Sequence, residues 1–132
     1  MRIRLVSDSC ARGWAGWGHG ELWLTEDALV RVGKRAPVSP LLKALTVGAA
    51  TNEELDVEGD SWAYYLATHD DVQVLPYSEI VEAKLTAGVA TTSLAVRLRP
   101  GVKTRLLWRR TPGSVQAVRA VLPGPDRHAV PA

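Results

Sequence analysis

The 132-residue chain contains one cysteine, Cys10, and three histidines. A lone cysteine excludes a framework of internal disulfides and removes any cysteine-rich metal site. No segment approaches the run of about 20 apolar residues that a membrane-spanning helix needs. Arg4 and Asp8 interrupt the N-terminal segment, which therefore lacks the apolar core of a signal peptide. These absences predict a soluble protein in a reducing, cytoplasmic setting.

Catalytic and metal-binding motifs are also scarce. His19-Gly20-Glu21 has the H-x-E spacing of zinc deaminases, but the P-C-x-x-C motif that completes such a site is absent. His69-Asp70 has the form of the paired ligands in metal phosphohydrolases. Such metal sites need additional histidines from other helices, and this chain has only three histidines in all. Gly33-Lys34 is followed by Arg35 and not by Ser or Thr, so it is not a P-loop. The sequence predicts no enzyme activity, no metal and no cofactor.

The net charge is only +2, which argues against a dedicated nucleic-acid-binding protein, but its distribution is uneven. Residues 81–132 hold nine Lys or Arg and two acidic residues, whereas residues 36–80 hold one Lys and eight acidic residues. This asymmetry is consistent with two solvated faces of opposite sign. It could also steer a partner or favour head-to-tail contact between copies.

The clearest two-residue periodicity runs from Ser93 to Trp108 and is divided by Pro100-Gly101. One set of alternate positions is mainly apolar and comprises Leu94, Val96, Leu98, Val102, Thr104, Leu106 and Trp108. The other set is mainly basic and comprises Ala95, Arg97, Arg99, Lys103, Arg105 and Arg109. Strand side chains point to opposite faces in turn, so the pattern predicts a hairpin with one apolar and one basic face.

The N-terminal third predicts further strands. Residues 2–6 alternate as a short edge strand would, and residues 21–32 form a hairpin around the turn Thr25-Glu26-Asp27. Between them, residues 11–20 are rich in glycine and tryptophan, which favours a loop or a bulged strand. Trp14 and Trp17 there are interpreted as apolar plugs over the end of a barrel, or as an exposed aromatic platform for a ligand.

Residues 37–70 interrupt the strand pattern. Pro40 can begin a helix that Gly48 ends, and residues 51–54 have the spacing of a capping box. Residues 61–69 are interpreted as a helix, although their β-favouring side chains would also suit a strand. The face predicted for this helix comprises Trp62, Tyr65, Leu66 and His69.

The remaining chain returns to strands and ends in a helix. Strands are predicted at residues 72–75 and 80–85, the second with Val81, Ala83 and Leu85 facing inward. A final helix is predicted from Pro112, capped by Thr111, and it carries an apolar stripe of Val115, Val118, Val121 and Leu122. Residues 123–132 are predicted to be a disordered tail.

Two short motifs resemble those of a known family. Residues 20–30 are similar to its "G-x-L-x-L-T-x-x-x-L-V" opening hairpin, and Leu75-Pro-Tyr-Ser-Glu-Ile is similar to its "I-P-Y-S-E-I" strand entry. With the hairpin at 93–108 and the final helix, the chain resembles bacterial members of the pleckstrin-homology-like (PH-like) superfamily, the GRAM-like and bacterial PH domains. The resemblance covers roughly residues 18–122.

This resemblance implies an α+β, mainly β fold: a strongly bent antiparallel sheet, a partly open barrel, capped by a C-terminal α-helix. A short helical insertion, about residues 37–70, would lie between the second and third core strands. The whole would form a single domain at 1–122. Such folds bind lipids, phosphoinositides, peptides or proteins, but the acidic turn at Thr25-Glu26-Asp27 departs from the basic clusters of phosphoinositide-binding members.

The sequence therefore predicts a non-catalytic PH-like interaction or adaptor domain that binds a protein partner or itself. The candidate binding surface comprises Arg97, Arg99, Lys103, Arg105, Arg109, Lys34 and Arg35. A candidate apolar contact segment comprises Leu41, Leu42 and Leu45. The alternative is a peripheral membrane module that recognises anionic lipid. Nucleic acid ranks below both, because Leu107 is the only large apolar residue on the predicted basic face and no stacking aromatic is interleaved with its cations. An enzyme would need a pocket with perturbed acids or histidines.

Overall fold

The computed structural model describes residues 1–12, 20–33, 54–69, 71–99, 101–111 and 113–122. The strands are β1 (Arg2–Arg12), β2 (Gly20–Leu24), β3 (Ala28–Gly33), β4 (Glu54–Asp56), β5 (Val72–Pro76), β6 (Ile80–Ala87), β7 (Thr91–Leu98) and β8 (Lys103–Arg109). Helix α1 (Gly59–Ala67) lies between β4 and β5, and helix α2 (Ser114–Val121) follows β8. A short 3-10 turn at Tyr77–Glu79 links β5 to β6. The predicted α+β, mainly β class is confirmed.

Among the described strands every pair is antiparallel, and they form an open sheet in the order β5-β3-β2-β1-β8-β7-β6 with β4 beside β1. Strand β1 joins its two parts: one edge pairs with β2, and the other pairs with β4 at residues 2–4 and with β8 at residues 11 and 12. We call β1–β5 the N-terminal half-sheet and β6–β8 the C-terminal half-sheet.

Residues 2–6 belong to a strand, as predicted, but its predicted short length and edge position were wrong. Strand β1 continues to Arg12 and is paired along both edges. Register shifts after Leu5 and after Ser7 break the alternation of its side chains. Such bulges bend a strand and hide its period, which explains why the polar residues that follow Val6 look like the end of the strand.

The main core lies between the two half-sheets, and α2 covers it. Val118 and Leu122 pack in one cluster with Leu94, Leu106 and Trp108, as predicted for the final helix. The helix begins at Ser114, two residues later than the predicted start. Gly113 is its N-cap, and its φ of 78° is a conformation that glycine adopts without strain. Thr111, the predicted cap, instead donates from Oγ1 to the Val6 carbonyl at 3.2 Å.

A second cluster lies on the outer face of the N-terminal half-sheet. There, α1 lays Trp62 and Tyr65 over Trp23, Val30 and neighbouring apolar side chains. The Trp23 and Trp62 rings meet edge to face with centroids 5.5 Å apart, a favoured aromatic geometry. The helix interpretation of residues 61–69 is thus confirmed, with Trp62 and Tyr65 buried.

Local departures occur in β4, in β6 and at the tip of the β7–β8 hairpin. The capping-box motif at 51–54 was expected to start a short turn, but its last residue, Glu54, begins β4, which pairs with residues 2–4. Val81, predicted to face inward, is 40% exposed. A register shift between Ile80 and Glu82 inserts a residue, so Ile80 is buried in its place. Val102 is also exposed, because it lies in the turn before β8.

Several predictions fall outside the described residues. These are the platform or plug role of Trp14 and Trp17, the helix from Pro40 with its contact segment of Leu41, Leu42 and Leu45, the basic pair Lys34 and Arg35, and the tail at 123–132.

Candidate functional site

The outer face of the C-terminal half-sheet carries the basic side chains. Cross-strand neighbours on this face form four rows: Glu82–Arg97–Lys103, Lys84–Ala95–Arg105, Thr86–Ser93–Leu107 and Thr91–Arg109. Side chains of directly paired residues lie on the same face of a sheet. The rows therefore bring residues from three strands onto one surface, which we call the basic face.

Four of the residues predicted for the binding surface share this face: Arg97, Lys103, Arg105 and Arg109. Arg99 follows the end of β7, and its backbone N–H donates to the Glu79 carbonyl at 2.9 Å. Lys34 and Arg35 lie outside the described residues. The structure thus groups the strand-borne members of the predicted surface.

Lys84 joins these four on the basic face, although it is not among the residues predicted for it. It is paired with Ala95 across β6 and β7, and it is exposed. Five basic residues and one acid, Glu82, give the face a net charge of +4. Glu82 accepts a hydrogen bond from Arg97 at 3.2 Å, with both side chains largely in solvent. Such an exposed pair contributes little energy, so Arg97 is readily available to another anion.

A trough runs along the middle of the basic face. Its floor is made by the small side chains of β7, and its walls are the longer side chains of β6 and β8. Two adjoining grooves, of 510 Å³ and 540 Å³, meet at Lys84, Ala95 and Arg105. Adjacent strands lie about 4.8 Å apart, so the backbones of the two flanking strands are separated by roughly 10 Å.

Tight turns hold β7 in place at both ends of the trough. At one end Gly88 donates its N–H to the Thr91 carbonyl at 2.8 Å, and a Cβ at Gly88 would lie 2.8 Å from that oxygen. At the other end Gly101 has a φ of 114°, a left-handed conformation that other residues rarely adopt. Leu98 donates to the Val102 carbonyl at 2.8 Å across the same turn. The floor is therefore fixed by backbone geometry.

At the described strand positions of this face, no large apolar or aromatic side chain is exposed; the exposed Val89 and Val102 lie in the turns at its two ends. Its aromatic neighbour Trp108 points to the core, and Leu107 on the face itself is only 8% exposed. Bases stack on aromatic side chains, and membrane-bound modules insert apolar ones beside their cations. The basic face offers cations, hydroxyls and small side chains instead.

A third groove, of 510 Å³, lies away from the basic face between β1, β4 and α2. Its charged groups are already matched to one another. Arg2 and Arg4 each lie 3.5 Å from a Glu54 carboxylate oxygen, and the Arg2 backbone N–H donates to Glu26 at 3.0 Å. The groove therefore has no surplus charge comparable with that of the basic face.

A buried ion pair lies on the inner face of the N-terminal half-sheet. Arg31 is only 3% exposed; its Nη1 donates to Asp71 at 2.8 Å and its Nε to the Cys10 carbonyl at 3.2 Å. Gly33 makes room for the carboxylate, because a Cβ there would lie 2.7 Å from Asp71 Oδ2. Sequence reasoning did not find this pair, since its members are 40 residues apart and meet only through β3–β5 pairing.

Neither buried reactive side chain in the described ranges is set up for nucleophilic or metal chemistry. Burial raises the pKa of the Cys10 thiol to about 12, although nearby Arg31 acts in the opposite direction. A thiol held protonated is a poor nucleophile. His69 places Nδ1 2.8 Å from the Tyr65 carbonyl and so closes the end of α1. Within the described ranges, no group of three or more His, Cys, Asp and Glu is placed to hold a metal ion.

In comparisons with known proteins, no family model and no curated protein matches the chain. The PH-like resemblance therefore stays a prediction. Among the helices that the structure describes, neither is long and apolar enough to cross a membrane.

Proposed function

We propose that this chain is a non-catalytic, cytoplasmic interaction domain of PH-like architecture that binds an acidic protein partner through the basic face. The antiparallel sheet, in which β1 is shared by both halves, supports that architecture, as does the C-terminal helix over the core. The single observation that carries the function is the convergence of five cations from three strands onto one face, on which Lys84, Lys103, Arg105 and Arg109 are exposed. Complementary charge of this kind accelerates association and selects acidic partners.

A protein partner suits this face better than a nucleic acid or a membrane does. Single-stranded nucleic acids need stacking platforms, and the described residues of the basic face supply no ring. Stable membrane binding usually combines cations with an inserted apolar group, whereas Leu107 among the cations is buried, and the exposed Val89 and Val102 lie apart from each other in the turns at opposite ends of the face. Hydroxyls and cations, in contrast, suit the carboxylates and backbone amides of a polypeptide.

The test compares two double charge reversals of equal size. Lys84→Glu with Lys103→Glu changes the basic face, whereas Arg2→Glu with Arg4→Glu changes the N-terminal half-sheet by the same net charge. The probe is a fluorescently labelled oligoglutamate peptide followed by anisotropy at low salt. We expect the first pair to weaken binding at least about tenfold, the sum of two modest charge contacts. The matched control should weaken it by less than about twofold.

Two outcomes would overturn the proposal. Equal losses in both double variants would show a general effect of net charge rather than a site. Tighter binding to phosphatidylserine vesicles or to a single-stranded oligonucleotide than to the peptide, lost in the Lys84→Glu, Lys103→Glu variant, would assign the face to that ligand. Circular dichroism and thermal melting of each variant verify that it is folded.

A further inference from the structure

The trough on the basic face has a definite width, repeat and length, and these restrict the form of its ligand. Resting on the proposed function, we infer that the trough binds an extended acidic segment of the partner. The segment lies along β7 and presents carboxylates at every second residue.

The width of the trough favours a ligand in an extended conformation over an α-helical one. Its floor is Thr91, Ser93 and Ala95, and its walls on β6 and β8 stand about 10 Å apart at the backbone. The wall side chains Lys84 and Arg105 narrow this space further. An α-helix with its side chains is about 10–12 Å wide, so it would rest on top of the walls. A single extended chain can enter between them and reach the floor.

The spacing of the cations along the strand indicates the spacing of acidic residues along the ligand. Along β8 they stand at Lys103, Arg105 and Arg109, always an even number of residues apart. Two residues of a strand rise by about 6.6–6.8 Å. A parallel extended chain has the same repeat, and its alternate side chains point to one side. Carboxylates at every second position would therefore all face the cations of the trough.

The ends of the trough set its length. The Arg97–Glu82 pair lies at one end and Thr91, beside the β6–β7 turn, lies at the other, six residues along β7. At about 3.3 Å per residue this distance is roughly 20 Å. The trough therefore accommodates an extended segment of about six or seven residues, with three or four carboxylates. The hydroxyls of Thr86, Thr91 and Ser93 lie along it as hydrogen-bonding groups.

The chain itself contains one run of alternate acids, Glu54, Asp56, Glu58 and Asp60, and the last of these lies in the first turn of α1. In a second copy these acids would be a poor occupant. Glu54 and Asp56 are cross-strand neighbours of Arg4 and Arg2, whose like charges would meet the cations of the trough. Glu54 is also held by both arginines, and Asp56 by the N-terminal amine at 3.3 Å. A separate acidic partner avoids this repulsion.

The experiment separates the shape of the trough from its charge. Two labelled peptides of identical composition are compared, one with four glutamates alternating with serine and one with the four glutamates in a block. Ala95→Tyr fills the floor and changes no charge, and Ala63→Tyr on the exposed side of α1 is the matched control.

We expect the alternating peptide to bind the native chain at least about fivefold more tightly than the block peptide, because more carboxylates are in register. Ala95→Tyr should remove this preference and Ala63→Tyr should keep it. If Ala95→Tyr fails to fold, Ser93→Tyr replaces it, and backbone NMR shifts of β7 on adding the alternating peptide give an independent measurement.

Equal affinity for the two peptides, with both weakened by Lys84→Glu and Lys103→Glu, would overturn this inference and leave the proposed function standing. Failure of that double variant to weaken either peptide would overturn both. Light scattering that shows self-association, lost on the same charge reversal, would assign the trough to a second copy and overturn the inference of a separate partner.

Discussion

The two half-sheets differ in what covers their outer faces. In the N-terminal half, Trp23 and Val30 point outward and are buried beneath α1. In the C-terminal half, the outward residues of β7 are small except for Arg97, those of β8 are mainly basic, and the face is largely open to solvent. Both halves bury their inner faces in the same core. An outer face that is left uncovered and basic is the one available for a ligand.

The burial patterns of two strands express this difference directly. All six residues of β3 are buried, Arg31 included, whereas β7 alternates between buried and more exposed positions. A strand covered on both sides has no polar face, so its sequence loses the two-residue alternation. Continuous burial therefore marks the half that serves stability, and alternation marks the half that also presents a surface.

Removing the largest side chain between α1 and the sheet should have the greatest effect. Trp23→Ala is expected to destabilise the fold by about 3–5 kcal/mol. It leaves a cavity beneath Trp62 and Tyr65 and removes the hydrogen bond from Nε1 to Glu21. Chemical denaturation measures the loss. Tyr64→Ala, on the same helix but 61% exposed, is the control and should change stability by less than about 0.5 kcal/mol. Similar values for the two would show that α1 does not pack as described.

A threonine introduced on each of the two outer faces should sharpen the contrast. Val30→Thr buries a hydroxyl under α1 and is expected to cost about 1–3 kcal/mol. Ala95→Thr, on the open floor of the trough, should stay within about 0.5 kcal/mol of the native stability. Midpoints of guanidinium denaturation give both values. A cost at Ala95 as large as that at Val30 would mean that the outer face of β7 is covered.

High pH should destabilise the fold through buried groups that contact the N-terminal half-sheet. Burial raises the pKa of Tyr65 far above its usual range, with a further contribution from the Glu21 carboxylate beside its hydroxyl. Burial likewise raises the pKa of Tyr77, whose hydroxyl donates to the Thr25 carbonyl at 2.8 Å, and brings that of Cys10 to about 12.

The unfolded chain therefore loses these protons before the folded chain does. Below the ordinary cysteine pKa of 9.0, these groups should contribute their full share to the free energy of unfolding. This free energy should fall as the pH rises further, because the unfolded state then binds fewer protons than the folded state. Denaturation at a series of alkaline pH values measures the slope, and Tyr65→Phe and Tyr77→Phe should each reduce it. A slope unaffected by both substitutions would contradict the assignment.

The smallest effect concerns two buried threonines, one in each half. Thr92 Oγ1, in the C-terminal half, has no hydrogen-bonding partner in the described chain. Thr92→Val should therefore be neutral or stabilise the fold by up to about 1 kcal/mol. Thr25 Oγ1 accepts from the Ala28 N–H and lies within hydrogen-bonding distance of the Asp27 carboxylate, so Thr25→Val should cost about 1–2 kcal/mol. Melting temperatures compare the pair. A clear loss at Thr92 would mean that its hydroxyl is satisfied.

The elements with regular patterns were predictable from the sequence. The hairpin at 93–108 appears as β7 and β8, the hairpin at 21–32 as β2 and β3, and α2 covers the core as expected. Irregular elements were less predictable. Bulges in β1 interrupt its two-residue alternation, so its full length does not show in the sequence, and β4 is only three residues long. In the candidate site, the sequence placed Arg97, Lys103, Arg105 and Arg109 on one face, and whether that face binds a partner stays a prediction. It did not associate Lys84 with them, because that requires the pairing of β6 with β7.

The sequence by itself thus determined which residues share a face of each strand, since alternation depends only on neighbours along the chain. Which of those faces is covered was decided by the tertiary structure. Helix α1 covers Trp23 but leaves the floor of β7 open, and residues as distant in the chain as Arg31 and Asp71 meet only across paired strands. Such contacts depend on how separate elements pack, and no local pattern encodes them.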